Sequence, residues 1–157
     1  MIKLAIFDVD GVFTDGSFYY DSSGKILKKF GAHDADGIKL LQDNNIDVLA
    51  ISADRRGAKI SKARMDDMGI PFVVVSAKDR PNWIGQQGEW DVMSYMGDGI
   101  HDVACFKKVR FSLAPKNALS FVKQNASFVT DATGGDGAVF EACMKIIDVN
   151  NKCMGNE

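Results

Sequence analysis

The chain has 157 residues, 46% of them apolar and 25% charged, which is the composition of a globular protein and excludes a disordered or fibrous chain. Its length suits one domain and leaves little room for a separate substrate-binding domain. Lys plus Arg number 19 against 21 Asp plus Glu, a net charge of −2 that lacks the basic excess nucleic-acid binding calls for.

Residues 2–7 are an apolar run that reads as a buried strand and stops at Asp8. That run is too short for a signal peptide, and no stretch approaches the ~20 apolar residues of a membrane span, so a cytoplasmic protein without membrane contact is expected. Ser17 to Tyr20, a polar turn at Asp21 to Gly24, and Lys25 to Phe30 then read as a β-hairpin. This insertion, about residues 16–30, stands between the first strand and the first helix, where roughly two to six residues are usual. Its apolar side chains (Phe18, Tyr19, Tyr20, Ile26, Leu27, Phe30) would be costly to leave in water. The hairpin either folds back on its own domain or pairs with other subunits, and the second is favoured.

Ile38, Leu40 and Leu41 mark a helix, residues 47–52 a strand, 58–68 a helix and 71–75 a third strand. Residues 91–96 and 109–113 follow as strands, with 127–130 as a short edge strand. The glycine-dense loop at 134–137 precedes a last helix over 138–147, and 151–157 form a polar tail expected to fray. Such alternation implies a doubly wound, mainly parallel α/β sheet over residues 1–150, with right-handed crossovers. Three separated cysteines and two histidines, without a C-x-x-C, argue for reduced thiols and against a zinc site.

In an open α/β sheet ligands gather beyond the carboxyl ends of the strands, and the chemistry-bearing residues fall there. Asp8 and Asp10 follow the first strand, with Gly11 to turn the backbone away. The second ends in Ser52-Ala53-Asp54, a hydroxyl and free amides suited to a phosphate oxygen. The third is followed by Lys78 and Arg80, and the fourth by Asp98 and Asp102. Alone, each has a dull reading as a turn, a cap or a solvated charge; together they put nucleophile, hydroxyl, cation and acid on successive strand ends.

This order resembles the haloacid dehalogenase (HAD) superfamily of aspartate-nucleophile phosphatases. The Asp-Gly-Val-Phe-Thr-Asp-Gly start, the hairpin and the Gly-Gly-x-Gly-Ala-Val tail are similar to its capless branch of 3-deoxy-D-manno-octulosonate 8-phosphate and nonulosonate 9-phosphate phosphatases. The resemblance implies Asp8 as nucleophile, Asp10 as general acid and base, and Ser52 with Ala53 as phosphate-binding groups. It implies Mg²⁺ held by Asp8, the Asp10 carbonyl and Asp98, with Asp102 as a direct or water-mediated ligand. Lys78 or Arg80 is the cation of the third motif; lysine is usual there, which favours Lys78.

A small sugar-acid phosphate of surface-polysaccharide or lipopolysaccharide synthesis is the implied substrate, and a homotetramer joined through the hairpin the implied assembly. Three departures stand out. Gly99 replaces a second Asp, Ser52-Ala53-Asp54 replaces Thr-Gly-Arg, and Phe140 replaces a tail arginine for which Arg64 is a candidate substitute. The alternatives are a different phosphorylated metabolite or a non-catalytic oligomerisation module like the one fused to acylneuraminate cytidylyltransferases. His33 and His101 read as polar surface residues.

Overall fold

The computed structural model describes residues 1–155. In chain order the elements are β1 (Leu4–Asp8), the hairpin strands β2 (Tyr19–Asp21) and β3 (Gly24–Leu27), α1 (Asp34–Asp43), β4 (Asp47–Ser52), α2 (Ala58–Asp67), β5 (Phe72–Val74), α3 (Arg80–Gly85), β6 (Met93–Met96), α4 (Val103–Phe106), β7 (Phe111–Ala114), α5 (Ser120–Asn125), β8 (Phe128–Val129) and α6 (Ala138–Met154). Short 3-10 turns at Trp90–Val92 and Ile100–Asp102 flank β6.

Six strands form one parallel sheet in the order β5-β4-β1-β6-β7-β8, and the hairpin stands apart as a second, antiparallel pair. The chain winds one way from β1 through β4 to β5, then crosses back to β6 on the other side. The strand order therefore reverses at β1, and a crevice opens at its carboxyl end.

The period of two along each strand sorts side chains between two cores. Ala5 and Phe7 of β1 join Ile38 and Leu41 of α1 and Val139, Ala142 and Ile146 of α6. Ile6 points the opposite way, into a cluster with Ile84 of α3, Phe106 of α4 and Val122 of α5. By the same alternation Asp8 shares the face of Ile6, which aims its carboxylate toward α3 and the loop before α4. At the other end of the strand, Asn150 of α6 clamps the backbone of Ile2, accepting from its N–H at 2.7 Å and donating to its carbonyl at 2.8 Å.

Every expected strand is present within a few residues. α3 starts where Pro81 suits a first helical turn, whereas the short helices α4 and α5 were not expected, because four to six residues carry no sustained apolar period. α6 runs past 147 to Met154, so the expected polar tail starts as helix, and residues 156–157 lie outside the described residues.

One buried charge is used by none of this. Asp34, in the first turn of α1, is 1% exposed, and neither carboxylate oxygen has a hydrogen-bond partner among the described residues. Burial pushes its pKa up to about 7, with Arg64 of α2 pulling the other way. The unfolded chain releases this proton near the ordinary pKa of about 3.9. Between there and about pH 7 the folded protein holds more protons than the unfolded one, so stability falls as pH rises through that window. Asp34→Asn is expected to remove that fall. In melts at about pH 5 and about pH 8, the variant's advantage should grow with pH by roughly 3 kcal/mol, since about two pH units of that interval lie below the folded pKa. A constant offset at both values would show that Asp34 does not titrate there.

Candidate active site

Beyond Asp8 the backbone folds into a tight loop around two acceptors. The Val9 carbonyl receives the N–H groups of Val12, Phe13 and Thr14 at 3.2, 2.9 and 3.1 Å. The Thr14 hydroxyl oxygen accepts from the Gly11 and Gly16 amides at 3.0 and 3.2 Å. Gly11 adopts φ +81°, and a Cβ there would collide with the Asp98 carboxylate. Glycine thus serves two ends here, a left-handed turn and the approach of a second acid to Asp8. Asn117 ties this loop to the glycine-dense one, donating to the Gly11 carbonyl at 2.9 Å and accepting from Gly134 N–H at 2.7 Å.

Carboxylate oxygens of Asp8, Asp98 and Asp102 all lie within 4.8 Å of one another. Burial raises the Asp8 pKa well above the usual carboxylate range; Arg80 opposes this, while Asp102, Asp98 and Asp10 add to it. Asp98 is pushed up to about 7, by burial first and then by Asp102. Two acids that resist ionisation beside a third form a donor set of oxygens alone, which fits a hard divalent cation whose charge would reverse those shifts. Asp98 makes no ion pair among the described residues and so is free to serve as a ligand. Asp102 is already engaged. One oxygen takes Arg80 and the Tyr95 hydroxyl, the latter at 2.6 Å, and the other takes the Gly99 amide at 2.9 Å.

The cation beside Asp8 is Arg80, not Lys78. Arg80 is buried, and its Nη1 lies 3.4 Å from Asp8, 3.0 Å from the Tyr95 hydroxyl and against Asp102. Lys78 is exposed on the turn before α3. That turn is closed by Asp79 and Arg80 N–H groups donating to the Ser76 carbonyl at 3.1 and 3.0 Å, which starts the helix with Arg80 pointing inward.

On the opposite side, Asp10 receives the Ser52 hydroxyl at 2.6 Å on one oxygen and Lys28 Nζ at 2.6 Å on the other. Lys28 also reaches Asp54, and so does Lys25, at 2.9 and 2.5 Å. Burial alone would raise the Asp54 pKa, but these lysines and the Gly57 amide outweigh it and hold it near about 2. The hairpin therefore folds back on its own domain through its lysines, with Phe30 against the core, while Tyr19, Tyr20, Ile26 and Leu27 stay exposed.

A cleft of about 340 Å³ opens over these groups, lined by Asp8, Asp10, Phe18, Ala53, Asp54, Arg80 and Asp98 among others. Ser52 borders it through Asp10. Arg64 does not reach it; its guanidinium donates to the Gly31 carbonyl at 3.1 Å and faces Asp34. Phe140 is half-buried on α6, and the adjoining Glu141 accepts the Asp131 and Ala132 amides at 2.9 and 3.0 Å. His33 and His101 are exposed. A larger cleft of about 420 Å³ lies at the amino end of the sheet, against Ile2, Ile46 and Asn150, far from the carboxylates.

Sequence reasoning missed Lys28, Tyr95 and Asn117. A lysine in a hairpin reads as a solvated charge, a tyrosine in a buried strand as core, and an asparagine just after a strand as a turn residue. Their partners are 18, 7 and 106 positions away.

A parallel sheet whose strand ends bring an Asp-x-Asp-Gly loop, a hydroxyl, a buried cation and further carboxylates together defines a phosphatase of the haloacid dehalogenase type. Similarity to known proteins narrows this. The chain is 33% identical to the 3-deoxy-D-manno-octulosonate 8-phosphate phosphatase KdsC of Haemophilus influenzae over 156 residues, 96% of this chain and 86% of that one. The cobalt-bound structure of the phosphatase from that organism superposes with a TM-score of 0.85 at 33% identity, covering 96% and 90% of the two chains. The Moraxella catarrhalis phosphatase, solved with magnesium, phosphate and KDO, gives 0.84 at 27% identity over 94% and 86%. No family model matches the chain. The chain belongs to the 3-deoxy-D-manno-octulosonate 8-phosphate phosphatase family.

Proposed function

We propose that the protein is a magnesium-dependent phosphatase that hydrolyses a small sugar-acid phosphate, 3-deoxy-D-manno-octulosonate 8-phosphate or a nonulosonate 9-phosphate. The observation that carries this is the Asp8, Asp98 and Asp102 cluster facing Arg80 and Asp10 across one cleft. A magnesium ion held by Asp8, Asp98 and the Asp10 carbonyl would supply the positive charge that lets a phosphate dianion approach these acids. Each unit repulsion at ~4 Å is worth roughly 4 kcal/mol at an effective dielectric near 20, so the acids alone would turn the phosphate away.

In this reading an Asp8 oxygen attacks phosphorus and the ester P–O bond breaks, leaving an aspartyl-phosphate. Asp10 gives its proton to the departing sugar oxygen, then takes one from the water that attacks phosphorus and releases phosphate. Arg80 offsets charge on the phosphoryl oxygens. Ser52 and the Ala53 amide border the phosphoryl position. Asp102, engaged by Arg80, Tyr95 and Gly99, keeps Arg80 in place and would not itself hold the metal.

The assay is phosphate release from a panel of sugar-acid phosphates with magnesium and with a chelator. Turnover of an eight- or nine-carbon keto-acid phosphate, lost on chelation and restored by Mg²⁺, is the expected result. Full turnover in chelator would overturn the site, and preference for an unrelated phosphate would overturn the substrate.

The same reading extends to assembly and place. Phe18, Tyr19, Tyr20, Ile26 and Leu27 are 42–57% exposed on one hairpin, an apolar surface that a homotetramer would cover. Light scattering is expected to give a fourfold mass, and a monomer would remove this part. Surface-polysaccharide synthesis in the cytoplasm suits such a substrate, and no helix among the described residues is long and apolar enough to cross a membrane.

A further inference from the structure

Lys28 leaves the hairpin one residue beyond β3 and runs inward, with its side chain fully buried. Its ammonium has three N–H donors and three oxygen partners: Asp10 at 2.6 Å, Ser61 Oγ at 2.8 Å and Asp54 at 2.9 Å. Burying a lysine sacrifices hydration and rotamer freedom, and a merely solubilising charge would stay outside. The protein also makes room for it. A Cβ on Gly57, which caps α2, would collide with the Asp54 carboxylate that pairs with Lys28 and would lie 2.6 Å from Lys28 Cε and 2.9 Å from Nζ. Gly57 has φ −95°, open to any residue, so glycine is needed there for space and not for backbone shape.

Lys28 does not line the cleft, whereas Asp10 does. With Ser52 on the other oxygen, the carboxylate of Asp10 is gripped from two elements and cannot rotate without losing one of them. We propose that Lys28 is a positioning residue that holds Asp10 toward the leaving oxygen, so that the hairpin is a working part of its own subunit's active site. This rests on the reading of Asp10 as the acid and base.

The test compares two leaving groups. An alkyl phosphate needs a proton from Asp10, whereas 2,4-dinitrophenolate leaves without one. Lys28→Met is expected to lose roughly 100-fold in kcat on the alkyl phosphate with KM little changed. Its first-turnover release of dinitrophenolate should stay within about threefold of the parent's. In an Asp10→Asn background, Lys28→Met should cost nothing further. Gly57→Ala keeps the Lys28 and Asp10 side chains but crowds the ammonium together with its Asp54 partner, and should lose roughly tenfold on the alkyl substrate alone. That variant carries the test if Lys28→Met does not fold. Equal losses on both substrates, or losses that multiply in the double variant, would reduce Lys28 to a structural role. If Asp10→Asn itself keeps the parent's rate on the alkyl phosphate, the acid-base reading falls instead.

Discussion

Asp8→Asn is expected to abolish phosphate release, a loss of at least about 10⁴-fold in kcat, and to do so without unfolding the protein. The amide keeps the size of the carboxylate but cannot form the aspartyl-phosphate. It can still accept the Val9 amide, which donates to Asp8 at 2.9 Å. Electrostatics then work in the variant's favour when no divalent ion is present. Asp8 is buried with its pKa raised, and Asp102, Asp98 and Asp10 all add to that rise. Removing its charge relieves these repulsions, and what is lost is one Arg80 contact at 3.4 Å, the longest that guanidinium makes.

The metal-free variant should therefore melt at the parent's temperature or above it. With Mg²⁺ the order reverses, since an ion that binds only the folded state adds about 2.7 kcal/mol at a hundredfold excess over its Kd. The parent should gain most of that and the variant little. Melting curves with and without magnesium, run beside the phosphate assay, check both halves. An inactive variant that also melts well below the parent in chelator would mean the cluster is structural.

The contrast between what the sequence showed and what it hid follows from distance along the chain. β4 falls where residues 47–52 were expected, because a run of Val, Leu, Ala and Ile between polar ends is a local signal. Asp8, Asp10, Ser52 and Asp98 were legible for a related reason: strand ends in a parallel sheet share one edge, so knowing the strands locates the site. Which of Lys78 and Arg80 turns toward Asp8 was not legible. Both follow the same strand, two residues apart, and only the first turn of α3 decides which one points inward. Lys28 was hidden more deeply. Period-two reasoning places it on a face of the hairpin, but its partners come from the loop after β4, from α2 and from the loop after β1. The hairpin itself was posed as a choice between folding back and pairing outward. The structure gives its lysines the first and leaves Tyr19, Tyr20, Ile26 and Leu27 exposed, so a single strand pattern carries two kinds of contact.

Arg80→Met should cost both activity and stability, and Lys78→Ala neither. Arg80 faces Asp8 and the fully buried Asp102, whose remaining partners, Tyr95 and Gly99, are neutral. Stripping from a buried carboxylate the one cation it has among the described residues costs about 3–5 kcal/mol. Losing a preorganised charge at the transferring phosphoryl group costs roughly 10³-fold in kcat. Lys78 is exposed, and its removal should leave kcat within about threefold and stability within ~0.5 kcal/mol.

The informative variant is Arg80→Lys. All three contacts of Arg80 run through Nη1, and its buried Nε has no partner among the described residues. The guanidinium is thus used as a point charge and not as a two-pronged fork, which is the role an ammonium fills equally well. Arg80→Lys should keep kcat within roughly tenfold of the parent and recover most of the stability that Arg80→Met loses. Phosphate release and melting temperature for the three variants decide it. A dead Lys78→Ala would move the cation to that residue, and an Arg80→Lys as inactive as Arg80→Met would show that the fork is needed after all.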